Sequence, residues 1–413
     1  MKREIKSYIQ LILIPIFFCI CLFNQLFNIN FLGEITVFLS IIYLIYYVIK
    51  IKKVPVYIYK ITFFIFLIII IGIFGNSISK INRSFFMISM DIFSFFKIYV
   101  CFFAGDLYFK NIENRLKIKI LKILNNISKC IVSIAFIFYI VNFFYDMNLS
   151  FDIRYGIPAY RFFYNSSGWL NQYWIGIVML ISIGKLVEKK RKKRYTLMVI
   201  LIWLSTLRSR AFVMVFFYIL LEIYFALVAK NQLFDKFKRN FFNLKKFFVF
   251  TCFSILLGYN QIIKYFFNSK FIKGRAVLLR NSIFISKEYF PLGAGFGTFG
   301  TETAKRYYSP LYYYYNMNLH PALNEKRGTE LTDCYWPAIL AETGIMGVFF
   351  IGIIICTLFK YWIKKSNNLT VLKVIILYII YLIISSSATG IFFSDLTAIY
   401  ILIIAFIINI DFN

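Results

Sequence analysis

Apolar residues run along this chain in long unbroken blocks, at about 7–28, 34–50, 61–77, 91–109, 130–146, 169–187, 195–208, 211–229, 247–263, 337–359, 369–388 and 394–410. An apolar stretch of about 20 residues crosses a ~30 Å hydrocarbon core as a helix that satisfies its own backbone. Each block therefore predicts a transmembrane helix, with 195–208 short for the role. The expected fold is an all-α polytopic integral membrane protein of about 12 transmembrane helices. No fixed-period repeat or low-complexity linker divides it, so 1–413 reads as a single transmembrane domain. The opening MKREIK and the apolar run after it lack a small-residue cleavage site and read as a retained first span.

The polar connections sort by charge. Those at 1–6, 50–60, 110–129, 185–194, 230–246 and 360–368 are basic, most densely from Glu188 to Arg194. Lys and Arg in short loops stay on the cytoplasmic side, and these six segments alternate with the others along the chain. Both termini are then cytoplasmic. The outward connections are 29–33, 78–90, 147–168, 208–210, 264–336 and 389–393. Most are short, but 264–336 is a long extracytoplasmic loop rich in Tyr, Arg and Gly. Loops beyond about 15 residues in a compact protein are usually functional.

Composition adjusts this picture only slightly. The chain is 61% hydrophobic and 21% aromatic, well above a soluble domain. A net charge of +29 would suit nucleic acid, but the basic residues lie between apolar blocks rather than on one face. They fit orientation in the bilayer and contact with anionic headgroups, and no nucleic acid partner is expected. Abundant Phe, Ile, Tyr, Asn and Lys are a compositional hint of an AT-rich bacterial genome, and the expected location is a bacterial cytoplasmic (inner) membrane. The sequence holds no P-loop, DxD pair, HExxH or Cys/His cluster, so no metal and no cofactor are expected. The seven cysteines mostly sit in apolar blocks, and Cys334 is the one thiol of the long loop.

Charged residues at outward boundaries are the candidates for chemistry. Arg208 and Arg210, in STLRSRAFVMV, occupy a short outward turn. They either snorkel to headgroups or meet substrate, with Arg210 the stronger candidate. Arg275 and Arg280 lie in KGRAVLLRNSIFISKEYFPLG, whose apolar positions suggest an amphipathic helix on the membrane surface. Guanidinium binds diphosphate in a bidentate, permanently charged way. The run GAGFGTFG lacks the strand and helix of a nucleotide loop, so its glycines serve tight turns and close approach to substrate or a neighbouring helix. Asp333 precedes an apolar block, placed either as a base or as the cap of the following helix. His320 is the only imidazole, and Glu342 falls inside the apolar block, where it either pairs with an Arg or caps a helix contact. Arg154, Arg161 and YNSSGWLNQYW form another outward segment with sugar-gripping residue types.

Three segments in order, LSTLRSRAFVMV, RAVLLR…FPLGAGFGTFG and TDCYWPAILAETGIMGV, resemble the O-antigen ligase/polymerase superfamily, the Wzy-type bacterial membrane glycosyltransferases. The resemblance covers about 195–360 and extends to the helix count and the outward loop, a GT-C-like arrangement. It implies that Arg210 and Arg275 act on the diphosphate of an undecaprenyl diphosphate-linked oligosaccharide. From the residue types and their outward placement, substrate contacts are expected of Arg208, Arg280, His320, Glu342, Arg161, Tyr335 and Trp336. Ligases of the family carry a His eleven residues before the Gly of their LAExG motif; that position here is Asp333. The departure leans toward a repeat-unit polymerase and leaves the base open between Asp333, the favoured residue, and His320 thirteen residues upstream.

The implied activity is metal-independent glycosyl transfer to a lipid-linked repeat unit, building O-antigen, capsule or exopolysaccharide. A chain-length regulator and a flippase are the expected protein partners. The alternatives are a ligase moving glycan to another acceptor, and a lipid-linked oligosaccharide flippase. A flippase should spread charge through its central cavities and lack a long external loop, the reverse of this chain.

Overall fold

The computed structural model describes residues 2–22, 32–51, 54–81, 84–145, 147–188, 193–230 and 273–412. The block at 247–263 and the segment 264–272 lie outside the described residues. The elements are α1 (Lys2–Leu22), α2 (Leu32–Ile51), α3 (Val56–Ser79), α4 (Phe85–Lys110), α5 (Asn114–Phe144), β1 (Ser150–Arg154), β2 (Ile157–Tyr160), α6 (Ser167–Gly184), α7 (Lys193–Ser205) and α8 (Ser209–Lys230). They continue with α9 (Gly274–Glu288), α10 (Glu302–Arg306), α11 (Pro310–Tyr314), α12 (Tyr335–Lys365), α13 (Leu369–Ser386) and α14 (Asp395–Ile407). The strands β1 and β2 form an antiparallel hairpin that the apolar pattern does not predict.

Seven of the described helices are long and apolar enough to cross a membrane: α2, α3, α4, α5, α8, α12 and α13. Phe38, Ile49, Phe66 and Phe74 on the outer helices are all more than half exposed. In water each such side chain would forgo about 1.5–3 kcal/mol of burial, whereas lipid solvates it. The chain is thus a multi-pass, membrane-embedded helical protein. At its centre stands α13, mostly apolar with one charge, Lys373, in its second turn, and buried on nearly every side among α6, α8 and α12. One element departs from expectation. Residues 114–129 read as a basic connection but open helix α5, because Ile120, Leu121 and Leu124 recur at helical spacing and are buried.

The two ends of the bundle have different chemistry. At one end buried Asp106 accepts hydrogen bonds from Tyr57 (2.6 Å), Tyr361 (2.8 Å), Lys365 (2.6 Å) and Asn409 (2.9 Å), tying α3, α4, α12 and the chain beyond α14 together. Asn114 bonds the Asp411 backbone there, and Lys117 reaches the Asn409 carbonyl. These groups come from connections that the charge pattern puts on one side. The opposite end gathers the hairpin, the turn before α8, the 273–334 segment and the 387–394 turn. There Gly390 N–H donates to Thr332 O (3.1 Å) and Lys97 pairs with Asp395.

The glycine run is a packing device. Helix α12 breaks at Gly344 (φ 62°, ψ −166°), which frees carbonyls that a continuous helix would use internally. Ala294 and Gly295 donate to the Ala341 and Glu342 carbonyls at 2.8 and 2.9 Å. The Asn76 amide clamps Phe296 N–H and C=O at 2.9 Å each, and Asp91 accepts from Gly297 N–H at 2.9 Å. Glu342 Oε1 accepts from Thr298 and Phe299 N–H (2.9 Å each) and from the Thr301 hydroxyl (3.3 Å). Gly300 N–H donates to Tyr312 Oη at 2.9 Å. Every N–H from Ala294 to Gly300 thus has an acceptor, as a buried loop requires. Gly75 of α3 permits the approach, since a Cβ there would stand 2.9 Å from Gly293 O and Gly295 N.

Glu342 therefore holds the loop through one oxygen. Glu342→Gln keeps an acceptor and is expected to fold at near-normal yield. Glu342→Ala orphans two buried N–H groups and a hydroxyl, each worth about 1–3 kcal/mol, and is expected to lower the detergent-solubilised melting temperature sharply. Thermal unfolding of the two variants side by side checks this.

Candidate functional site

Arg275 and Asp333 lie 58 residues apart, and the fold joins them. Arg275 Nη2 donates to Asp333 Oδ2 at 2.7 Å and Nε donates to the same oxygen at 3.2 Å. The two residues approach because α9 packs along the start of α12, with Leu278 and Ile285 turned onto a small core that includes Phe299, Tyr312 and Met317. Gly274, at the start of α9, is in turn covered by Glu330. Both partners stay about one quarter exposed, 22% and 27%, so the pair is reachable by a ligand. Asp333 does not cap α12 as one sequence reading allowed. Cys334 is the N-cap, without a side-chain cap bond, and the carboxylate turns to Arg275 instead. The Cys334 thiol faces Ser387 O (3.7 Å), and burial pushes it up to about 12, so it is not a poised nucleophile.

The end of α13 links this pair to the second predicted cluster. Trp336 Nε1 donates to Ser386 Oγ at 3.0 Å and Cys334 meets Ser387 O, so Asp333 borders the last turn of α13. Arg210, at the start of α8, lies within electrostatic range of Tyr381 on the same helix. Tyr381 and Ser387 are six residues apart, about 9 Å along the axis. Arg210 and Asp333 therefore both neighbour the second half of α13.

Arg208 takes another role. Its Nε donates to Ser167 Oγ (2.9 Å) and Nη2 to Asp152 Oδ2 (2.8 Å), which locks the hairpin and the start of α6 to the turn before α8. Arg154 also pairs with Asp152, at 3.4 Å. Arg161 donates to the Asn148 carbonyl at 2.8 Å and staples the base of the hairpin. Asp152 is absent from the sequence candidates; its one signal in the sequence is a lone carboxylate between the outward Arg154 and the apolar block before it.

The remaining predicted residues separate. Among the described residues Glu342 has no Arg partner; it holds the glycine loop. Tyr335 is 2% exposed and packs on Phe392 and Phe393 with ring centroids 4.7 and 4.9 Å away, so it is core rather than a sugar contact. Trp336 stays on the rim at 36% exposure. Arg280 is exposed over the Phe284 ring at 5.6 Å. His320 is half-buried after the Met317–Leu319 turn, where its Nδ1 accepts from Ala322 N–H at 3.1 Å.

Comparison with protein-family models, with curated proteins and with solved structures finds no match to this chain.

Proposed function

We infer that the protein is a polysaccharide polymerase, transferring glycan from an undecaprenyl diphosphate-linked oligosaccharide to a lipid-linked repeat unit outside the cytoplasmic membrane. The observation that carries this reading is the Arg275–Asp333 pair, partly exposed at the end of the bundle. Before substrate arrives the two charges satisfy each other. A diphosphate is a better partner for guanidinium than a single carboxylate oxygen, because it accepts two parallel bonds. Its arrival takes Arg275 and releases Asp333, so one displacement supplies both the electrophile and the base.

In the reaction the sugar C1–O bond to the diphosphate breaks and a new C1–O bond to the acceptor hydroxyl forms. The hydroxyl proton passes to Asp333, and the charge developing on the departing diphosphate is met by Arg275 and Arg210. Trp336 and the exposed Tyr313 and Tyr314 of the long connection supply apolar faces for sugar rings.

Asp333→Asn tests the base. It retains size and one acceptor oxygen but cannot take a proton at working pH. Chain growth is expected to fall by about 10²–10⁴-fold, a typical contribution of general base catalysis, while membrane levels persist. Undiminished polymer from Asp333→Asn would remove Asp333 from the mechanism.

A further inference from the structure

The end of the bundle opposite the Arg275–Asp333 pair holds a cavity of about 870 Å³ between α6, α7, α8 and the start of α13. Its polar wall carries Lys185, Lys193 and Lys373 against one carboxylate, Glu222. Glu222 Oε1 accepts from Lys373 at 2.8 Å and from Lys185 at 3.4 Å, so a single oxygen gathers two ammonium groups. Three lysine charges less one carboxylate leave the wall at +2. The first turn of α13 adds its amide end. Its N-cap Asn368 accepts from Thr370 N–H at 2.9 Å, and both residues line the cavity. A helix start directs N–H groups and positive potential toward an anion.

The other wall is apolar, formed by Leu197, Ile200 and Phe225. A gap with cations on one side and aliphatic residues on the other fits a molecule with the same division. Free phosphate would leave the Leu197 side empty, and a neutral lipid would leave the lysines uncompensated.

We propose that this cavity is a binding site for an anionic phospholipid, its phosphate held by Lys185, Lys193 and Lys373 and its acyl chain lying along Leu197, Ile200 and Phe225. Basic pockets between membrane helices bind acidic headgroups in this way. The site is independent of the transferase reading, because it lies at the other end of the bundle.

The test is native mass spectrometry of the purified full chain in detergent, titrated with phosphatidylglycerol and with phosphatidylcholine. Phosphatidylglycerol should bind at least tenfold tighter. Lys193→Glu changes an exposed side chain by two charge units, and at about fivefold per charge should weaken binding about 25-fold. Ile200→Trp leaves the charge intact but fills the apolar wall, and should also weaken binding; it serves if the charge variant folds poorly. Inorganic phosphate at the lipid concentration should not displace phosphatidylglycerol. Equal binding of the two lipids, unchanged binding by both variants, or full displacement by inorganic phosphate would overturn the proposal.

Discussion

Replacing Arg275 with alanine is expected to stop chain growth and leave single repeat units on the lipid carrier, with the protein still present in the membrane. The two halves of this expectation have separate reasons. A partly exposed ion pair contributes only about 0–1 kcal/mol to stability, so the fold should survive its loss. A preorganised donor aimed at charge that develops in the transition state contributes far more, about 10²–10³ in rate. Arg275→Lys should recover little, because a lysine cannot reproduce the planar fork that now spans Nε and Nη2 to Asp333. If Arg275 and Asp333 act in one step, Arg275→Ala with Asp333→Asn should be hardly worse than either alone. Glycan length profiles from cells carrying each variant read all three outcomes.

The largest effect on folding is expected at Gly344. Its conformation, φ 62° and ψ −166°, belongs to a region that only glycine occupies comfortably. A Cβ there would also run into Pro291 O and stand 2.7 Å from Gly293 N, both backbone atoms that cannot swing aside. Gly344→Ala must either straighten α12 or expel the glycine run. Either outcome breaks the bonds from Ala294 and Gly295 to the α12 carbonyls and uncovers Asp91 and Glu342. Strain of about 1–3 kcal/mol is then joined by several orphaned buried bonds. Folded protein recovered by size-exclusion chromatography should drop severely. Gly352→Ala is a control in the same helix, since a Cβ there meets nothing within 4 Å and should be tolerated.

Much of the fold was legible because membrane helices are written in local composition. The blocks at 34–50, 369–388 and 394–410 correspond closely to α2, α13 and α14, and the basic connections at 50–60, 110–129 and 360–368 meet at the Asp106 end. What was not legible depends on contacts far apart in the chain. Nothing local ties Arg275 to Asp333, or Arg208 to Asp152 across 56 residues. Asp333 sits where a helix cap would, yet a guanidinium from α9 takes its carboxylate. The glycine run signals close approach in the sequence, but its partners lie far away in the chain. A signal did exist. Asn76, Asp91 and Glu342 stand in apolar blocks with no local partner, while the run from Ala294 to Gly300 offers seven donors with no local acceptor. Matching those two unmet demands would have predicted the contact, and would have moved Glu342 from the substrate to the scaffold.

The most direct measurement uses purified protein in vesicles, supplied with the lipid diphosphate-linked oligosaccharide that accumulates in cells lacking it. With a chelator present, gel separation of the products should show a ladder of lengthening glycans for the native chain and a single lipid-linked unit for Arg275→Ala. A native chain that leaves every unit single, or an Arg275→Ala ladder equal to the native one, would contradict the account.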